Sequence, residues 1–154
     1  MQCPIEVLKD EQEILEEILS LKEIKSVLTE GLELKPKVEA LKELVMSYFK
    51  DEEELCKFVN LHIEAIDENS EEFIIFPESK REYERIKGKL NSSVIKLIEE
   101  YFIPYCNFID VLEVKDISIF SPEIKRITEK EIRKIDKCLE KLNKKLEEVR
   151  KNGS

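Results

Sequence analysis

The sequence predicts an all-α protein, an antiparallel up-down four-helix bundle. Three observations predict it. Apolar residues recur three and four apart over long stretches, the spacing of an amphipathic helix. Glycine (3) and proline (5) are scarce while charged residues make up 40% of the chain, the composition of long, charge-laced helices. The helix breakers leave three short connections, and short connections make consecutive helices antiparallel neighbours.

The first segment runs from Pro4 to Thr29. Pro4 suits a first helical turn, and Gly31 suits a C-terminal cap. Ile5, Leu8 and Leu15 share a face, and Gln12 falls on the same face. The second segment opens at Pro36 and stops at Pro77. Its stripe is Val38, Leu41, Val45, Tyr48, Leu55, Val59, Ile66, Phe73 and Phe76. Glu52, His62 and Asn69 fill the gaps in that register. Two readings of this segment stay open. The unbroken heptad favours one continuous helix. The run DEEE at 51–54 reads as an acidic cap with Glu54 three residues on, which favours a break near Asp51.

The third segment runs from Ser79 to Val114, with Tyr83, Ile86, Leu90, Val94, Leu97, Tyr101, Phe108 and Val111 on its stripe. Pro104 should kink it, and Asn91-Ser92-Ser93 is a place to interrupt it. After the connection KDISIF at 115–120, Ser121 caps the fourth segment, with Pro122 in its first turn. There Ile132, Ile135, Leu139, Leu142, Leu146 and Val149 hold a strict heptad. Residues 1–151 are expected to form a single domain, with 152–154 a short disordered polar tail.

The net charge of −9 argues against a nucleic-acid partner. Residues 1–77 hold 8 basic and 20 acidic residues (−12), and residues 78–154 hold 18 and 15 (+3). Acidic and basic helices packed side by side account for this split. No apolar run is long enough to span a membrane, and no leader segment is evident. A cytoplasmic location with reduced thiols is therefore expected for Cys3, Cys56, Cys106 and Cys138, none of them in a C-x-x-C pair. Richness in Lys, Glu and Ile leans towards a heat-adapted source.

No phosphate-cradling glycine loop and no nucleophile elbow is present, and His62 is the only histidine. A Ser-His-Asp or Cys-His arrangement would have to be built on that residue alone. An enzymatic role is not expected. Chemistry in a helical bundle would sit where polar side chains face inwards. Those positions are Gln12, Glu52, His62 and Asn69, with Glu68 and Glu72 at the stripe's edge. The plain alternative is that buried polar residues set helix register and that Glu68 and Glu72 face water.

Three stretches resemble hemerythrin-like domains. PIEVLKDEQEIL, residues 4–15, is similar to the family's first-helix pattern P-I-x-x-L-x-x-E-H. EEFIIFP, residues 71–77, resembles the end of the second helix. REYERI, residues 81–86, resembles the start of the third. The resemblance implies an antiparallel four-helix bundle holding iron through histidines and carboxylates. It places Gln12 where the first-helix histidine stands and Tyr83 where the third-helix histidine stands. The second-helix pair becomes Glu68 and Glu72, of which only Glu72 keeps the ligand type. The fourth segment has no H-x-x-x-D/E. What the resemblance implies is thus a carboxylate-modified site for iron or another hard divalent metal, with metal candidates Glu68, Glu72, His62, Tyr83 and Gln12. A continuous second helix would leave Glu68 about 20 Å from the level of Gln12, at the helical rise per residue. A break at Asp51 would bring Gln12, Glu68, Glu72 and Tyr83 together. The alternative function is a metal-free bundle that binds a protein partner.

Overall fold

A computed structural model describes residues 2–67, 73 and 75–152. Among these residues the chain is all helical, without a strand. The elements are α1 (Glu11–Met46), α2 (Glu52–Ile66), α3 (Pro77–Lys87), α4 (Ser92–Leu97), a π-helical turn (Ile98–Phe102), α5 (Ile103–Leu112) and α6 (Glu123–Asn152). Glu68 and Glu72 lie outside the described residues, as do Asn69 and the last two residues of the chain. Asn152, expected in a disordered tail, closes α6.

The first helix starts later and ends later than the sequence suggests. Residues 5–7 form a turn, and α1 begins only after Asp10, whose carboxylate accepts from the Glu13 backbone N–H at 2.8 Å. Glu13 in turn accepts from the Lys9 N–H at 3.4 Å. Asp51 and Glu54 repeat the device at the start of α2, with bonds of 2.9 Å from Glu54 N and 3.3 Å from Lys50 N. Each Asp supplies an oxygen to an orphan first-turn donor and places negative charge at the positive end of the helix. Helix two therefore does break near Asp51.

Gly31 and Pro36 do not punctuate the chain. Both lie inside the 36-residue α1. The proline removes one backbone bond and crowds the carbonyl four residues back. The helix continues because its buried stripe (Ile14, Ile18, Leu21, Leu28, Val38, Val45) runs on either side of the defect. Gly31 is required for a different reason. A Cβ there would lie under 3.0 Å from Cγ of Phe108, a ring only 1% exposed. The glycine lets α5 approach the α1 backbone.

Pro104 is absorbed in a comparable way. The Ile103 N–H reaches back five residues to the Ile98 carbonyl. This wider π-helical turn just before the proline lets the helical path continue from Ser92 to Leu112.

Cross-links define the directions. Glu11 pairs with Arg150 at 2.8 Å and Lys25 with Asp136 at 2.6 Å, so α6 runs antiparallel to α1. Here the acidic and basic helices do lie side by side. Lys37 sits over the Tyr101 ring while Gly31 meets Phe108, so α4–α5 also runs antiparallel to α1. Thus α5 and α6 are parallel to each other, which departs from strict up-down order. The reason is the stretch 113–122. It leaves α5 through Glu113 in a left-handed conformation (φ 56°) and climbs back along the core, burying Ile119 and Phe120. Tyr105 donates to the Ile119 carbonyl at 2.8 Å. Glu52 accepts from Ser118 Oγ at 2.5 Å and from the Ile119 N–H at 3.3 Å. Ser121 then caps α6 as expected, accepting from the Glu123 N–H at 3.2 Å.

The cysteines also depart from expectation. Cys3 and Cys138 form a disulfide across 135 residues, tying the segment before α1 to α6. Cys56 and Cys106 are free thiols. Among the described residues, no helix is long and apolar enough to cross a membrane.

Candidate functional site

α2 and α3 pack antiparallel as a hairpin, held at the surface by ion pairs. Arg85 makes two bonds to Glu82, at 2.5 and 3.1 Å, and reaches Glu54 at 3.9 Å; Lys57 reaches Glu82 at 3.8 Å. The hydrogen bond from Arg85 holds the Glu82 carboxyl below its usual range. The Arg85–Glu82 bonds lie within α3; the Arg85–Glu54 and Lys57–Glu82 pairs cross to α2, in an antiparallel register in which His62 of α2 meets Tyr83 of α3.

His62 is 5% exposed and Tyr83 6%. His62 Nδ1 lies 2.7 Å from the Tyr83 hydroxyl. The Phe58 ring stacks on both, with centroids 5.4 Å from His62 and 5.5 Å from Tyr83. Phe73 packs against the far edge of Tyr83 at 5.6 Å. One imidazole nitrogen is thus held in an aromatic box. The other, Nε2, is buried and has no hydrogen-bond partner among the described residues. Oε2 of Glu99, in the π-helical turn, lies 3.6 Å from it. That separation is too long for a hydrogen bond. When Nδ1–H donates to the tyrosine oxygen, the Nε2 lone pair is left to face the carboxylate. Histidine ligands to metals are characteristically held this way, with the second nitrogen donating to a neighbour.

The expected site residues separate into three groups. His62 and Tyr83 meet. Glu68 and Glu72 lie outside the described residues. Gln12 is excluded: it is exposed in the first turn of α1 and donates to Glu16 at 2.9 Å. It lies 25 residues before Lys37, the α1 residue beside Tyr101, hence about 35–40 Å away along the helix. The cause is the helix start at the Asp10 cap together with the phase of the stripe that follows it. Ile5 and Leu8, which set the expected stripe, stand before the helix, and the stripe that α1 does bury begins at Ile14, about 200° round the helix from Gln12, so Gln12 faces solvent. Glu52, another inward candidate, is engaged by the 113–122 connection.

Glu99 is the residue that periodicity misses. The π-helical turn inserts an extra residue per turn, so a 3.6-residue pattern cannot place it. Among the described residues, no group of three His, Cys, Asp or Glu side chains is arranged to hold a metal.

These features define a helical protein with a buried His–Tyr pair and one open imidazole nitrogen. No family model, curated protein or solved structure matches the chain.

Proposed function

We propose that this chain binds iron or another divalent cation through His62 Nε2 and Glu99. Glu72 and Glu68, four residues apart in the segment after α2, would complete the ligand set. The observation that carries this reading is the open, buried His62 nitrogen. A buried polar atom without a partner costs about 1–3 kcal/mol, so it calls for an occupant. Imidazole with carboxylates suits iron, manganese or zinc. Tyr83 would act as a positioning residue, holding the ring so that Nε2 faces outwards. Bound there, the metal would supply a Lewis-acidic or redox-active centre, and no catalytic residue is assigned. The likeness to hemerythrin-like domains supports the proposal in part. Tyr83, which stands at the family's third-helix histidine, shares an interior with His62. The first-helix portion of that likeness lends no support, because Gln12 is remote.

The second reading is a metal-free bundle that binds a protein partner. It is favoured by the packing of His62 itself, whose Nδ1 pairs with the Tyr83 hydroxyl and whose ring stacks on Phe58 as a core residue would. Elemental analysis and calorimetric titration with Fe2+, Mn2+ and Zn2+ separate the two. The metal reading expects stoichiometric binding that is lost in His62→Ala, weakened in Glu99→Gln and Glu72→Gln, and unchanged in Gln12→Ala. Binding should also raise the unfolding temperature of the wild type. No binding, or binding indifferent to His62→Ala, overturns it and leaves the metal-free bundle. A cytoplasmic location stands with a disulfide only on special terms. Stable disulfides mark oxidising compartments or the intracellular proteins of hyperthermophiles, and the Lys- and Glu-rich composition fits the latter.

A further inference from the structure

The two free cysteines, 50 residues apart in sequence, are brought together by the fold. Cys56 on α2 and Cys106 on α5 line the wall of one small cavity of about 60 Å³. Asn60, Asp110, Ile109 and Ile119 complete its wall. The two thiols are not equivalent. Cys106 is buried, whereas Cys56 is half-buried and reachable from the surface.

From this juxtaposition we propose that Cys56 and Cys106 form a redox-active dithiol that accepts oxidation from small thiol disulfides. Cys56 is the attacking residue and Cys106 the resolving one. The electrostatics agree with the assignment. The hydrogen bond from Cys106 is the largest influence on Cys56 and pulls its thiol below the ordinary range, against burial and the carboxylates of Glu52 and Asp110. The same bond, with burial, pushes Cys106 up, so its proton stays on until it is needed.

The exchange balances in two steps. The Cys56 thiolate attacks one sulfur of the small disulfide. The S–S bond breaks, and the departing thiolate takes the proton that Cys56 released. Cys106 then loses its proton and attacks the Cys56 sulfur of the mixed disulfide, expelling the second small thiol. The protein gives up two electrons and two protons, and one disulfide becomes two thiols. The new bond would tie α2 to α5, below the turn of α2 that carries His62. The proposal does not depend on metal at His62.

The test uses the full chain with the Cys3–Cys138 bond intact, equilibrated in glutathione buffers of graded oxidised fraction. Non-reducing peptide mapping by mass spectrometry reads the pairing. The wild type is expected to form the Cys56–Cys106 cross-link, with loss of two hydrogens, about 2 Da. Cys106→Ser should trap one glutathione on Cys56. Cys56→Ser should leave Cys106 unmodified. The wild-type measurement stands alone if a variant fails to fold. A stable glutathione adduct on wild-type Cys56 without a cross-link would overturn the proposal. So would two thiols still reduced under conditions that fully oxidise a dithiol peptide, or cross-links from Cys56 or Cys106 to Cys3 or Cys138.

Discussion

Gly31→Ala should destabilise the protein, although textual rules of helix propensity say the opposite. Gly31 sits in the middle of α1, where replacing glycine by alanine gains about 0.8–1 kcal/mol in an ordinary helix. Here the new methyl would fall under 3.0 Å from Cγ of Phe108 and closer than van der Waals contact to both Cδ atoms. Those atoms are the root of the ring, not a flexible tip, and the ring is 1% exposed. Relief requires moving α5 away from α1 or forcing Phe108 off its rotamer. Overpacking of this kind costs typically 1–3 kcal/mol, and a clash with the root of a buried ring belongs at the upper end. Set against the propensity gain, a net loss of about 2 kcal/mol is expected, or roughly 4–8 °C in unfolding temperature for a chain of this size. Urea denaturation followed by circular dichroism measures it. The double variant Gly31→Ala/Phe108→Leu should recover part of the loss relative to the sum of the singles, giving a favourable coupling energy. A Gly31→Ala protein more stable than wild type would refute the close approach of α5.

Two further perturbations follow from the cysteines. Cys3→Ser should lower stability by about 3 kcal/mol, roughly 10 °C, because the bond to Cys138 closes a very long loop in the unfolded chain; a melting temperature indifferent to both the substitution and added reductant would count against the bond. Iodoacetamide should modify Cys56 far faster than Cys106, with a rate midpoint at lower pH than that of a cysteine peptide. The groups facing Cys56 are Cys106, Glu52 and Asp110, and Cys106 supplies the dominant downward pull. In Cys106→Ala the midpoint should therefore move up, since burial and the two carboxylates remain; a midpoint that stays put denies the thiol–thiol hydrogen bond.

What could be read in the sequence follows from the range of the interactions involved. The all-helical class, the Ser121 start of α6 and its heptad rest on local propensity and spacing, and the structure agrees with them. The break at Asp51 stood as one of two readings because its cap is local while the heptad across it is also satisfied. The same Asp-x-x-Glu grammar occurs at Asp10–Glu13; recognising it there removes Ile5 and Leu8 from the helix and leaves Ile14, Ile18 and Leu21 to set the buried face, on which Gln12 does not lie. Gly31 and Pro36 mislead because their local preferences are overridden by packing of α5 and α6 against α1. Both pairings of the cysteines are long-range, and spacing alone does not determine connectivity. His62 and Tyr83 were each legible as polar residues on apolar stripes. That they meet each other, and not Gln12, depends on the α2–α3 hairpin.

Glu52 distinguishes a metal ligand from a structural strut, because it is an inward acid one helix turn from Cys56 and nearly three turns from His62. Its carboxylate accepts from Ser118 Oγ and from the Ile119 N–H, and it also sits in the first turn of α2, where negative charge is favoured. Glu52→Ala removes both bonds and leaves the backbone donor of the buried Ile119 without its acceptor. A backbone donor left unpaired costs about 1–3 kcal/mol, and the lost charge at the helix start adds about 0.3–1 kcal/mol, so a loss of about 2 kcal/mol is expected after partial solvation. Hydrogen exchange at Ile119 should accelerate, because the 113–122 connection loses its anchor to α2, while metal content should stay at the wild-type level. Glu52→Gln keeps one acceptor oxygen and should fall between the two. Loss of metal in Glu52→Ala with Ile119 exchange unchanged would mean that the carboxylate serves a cation, and the return of 113–122 along the core would then need a different support.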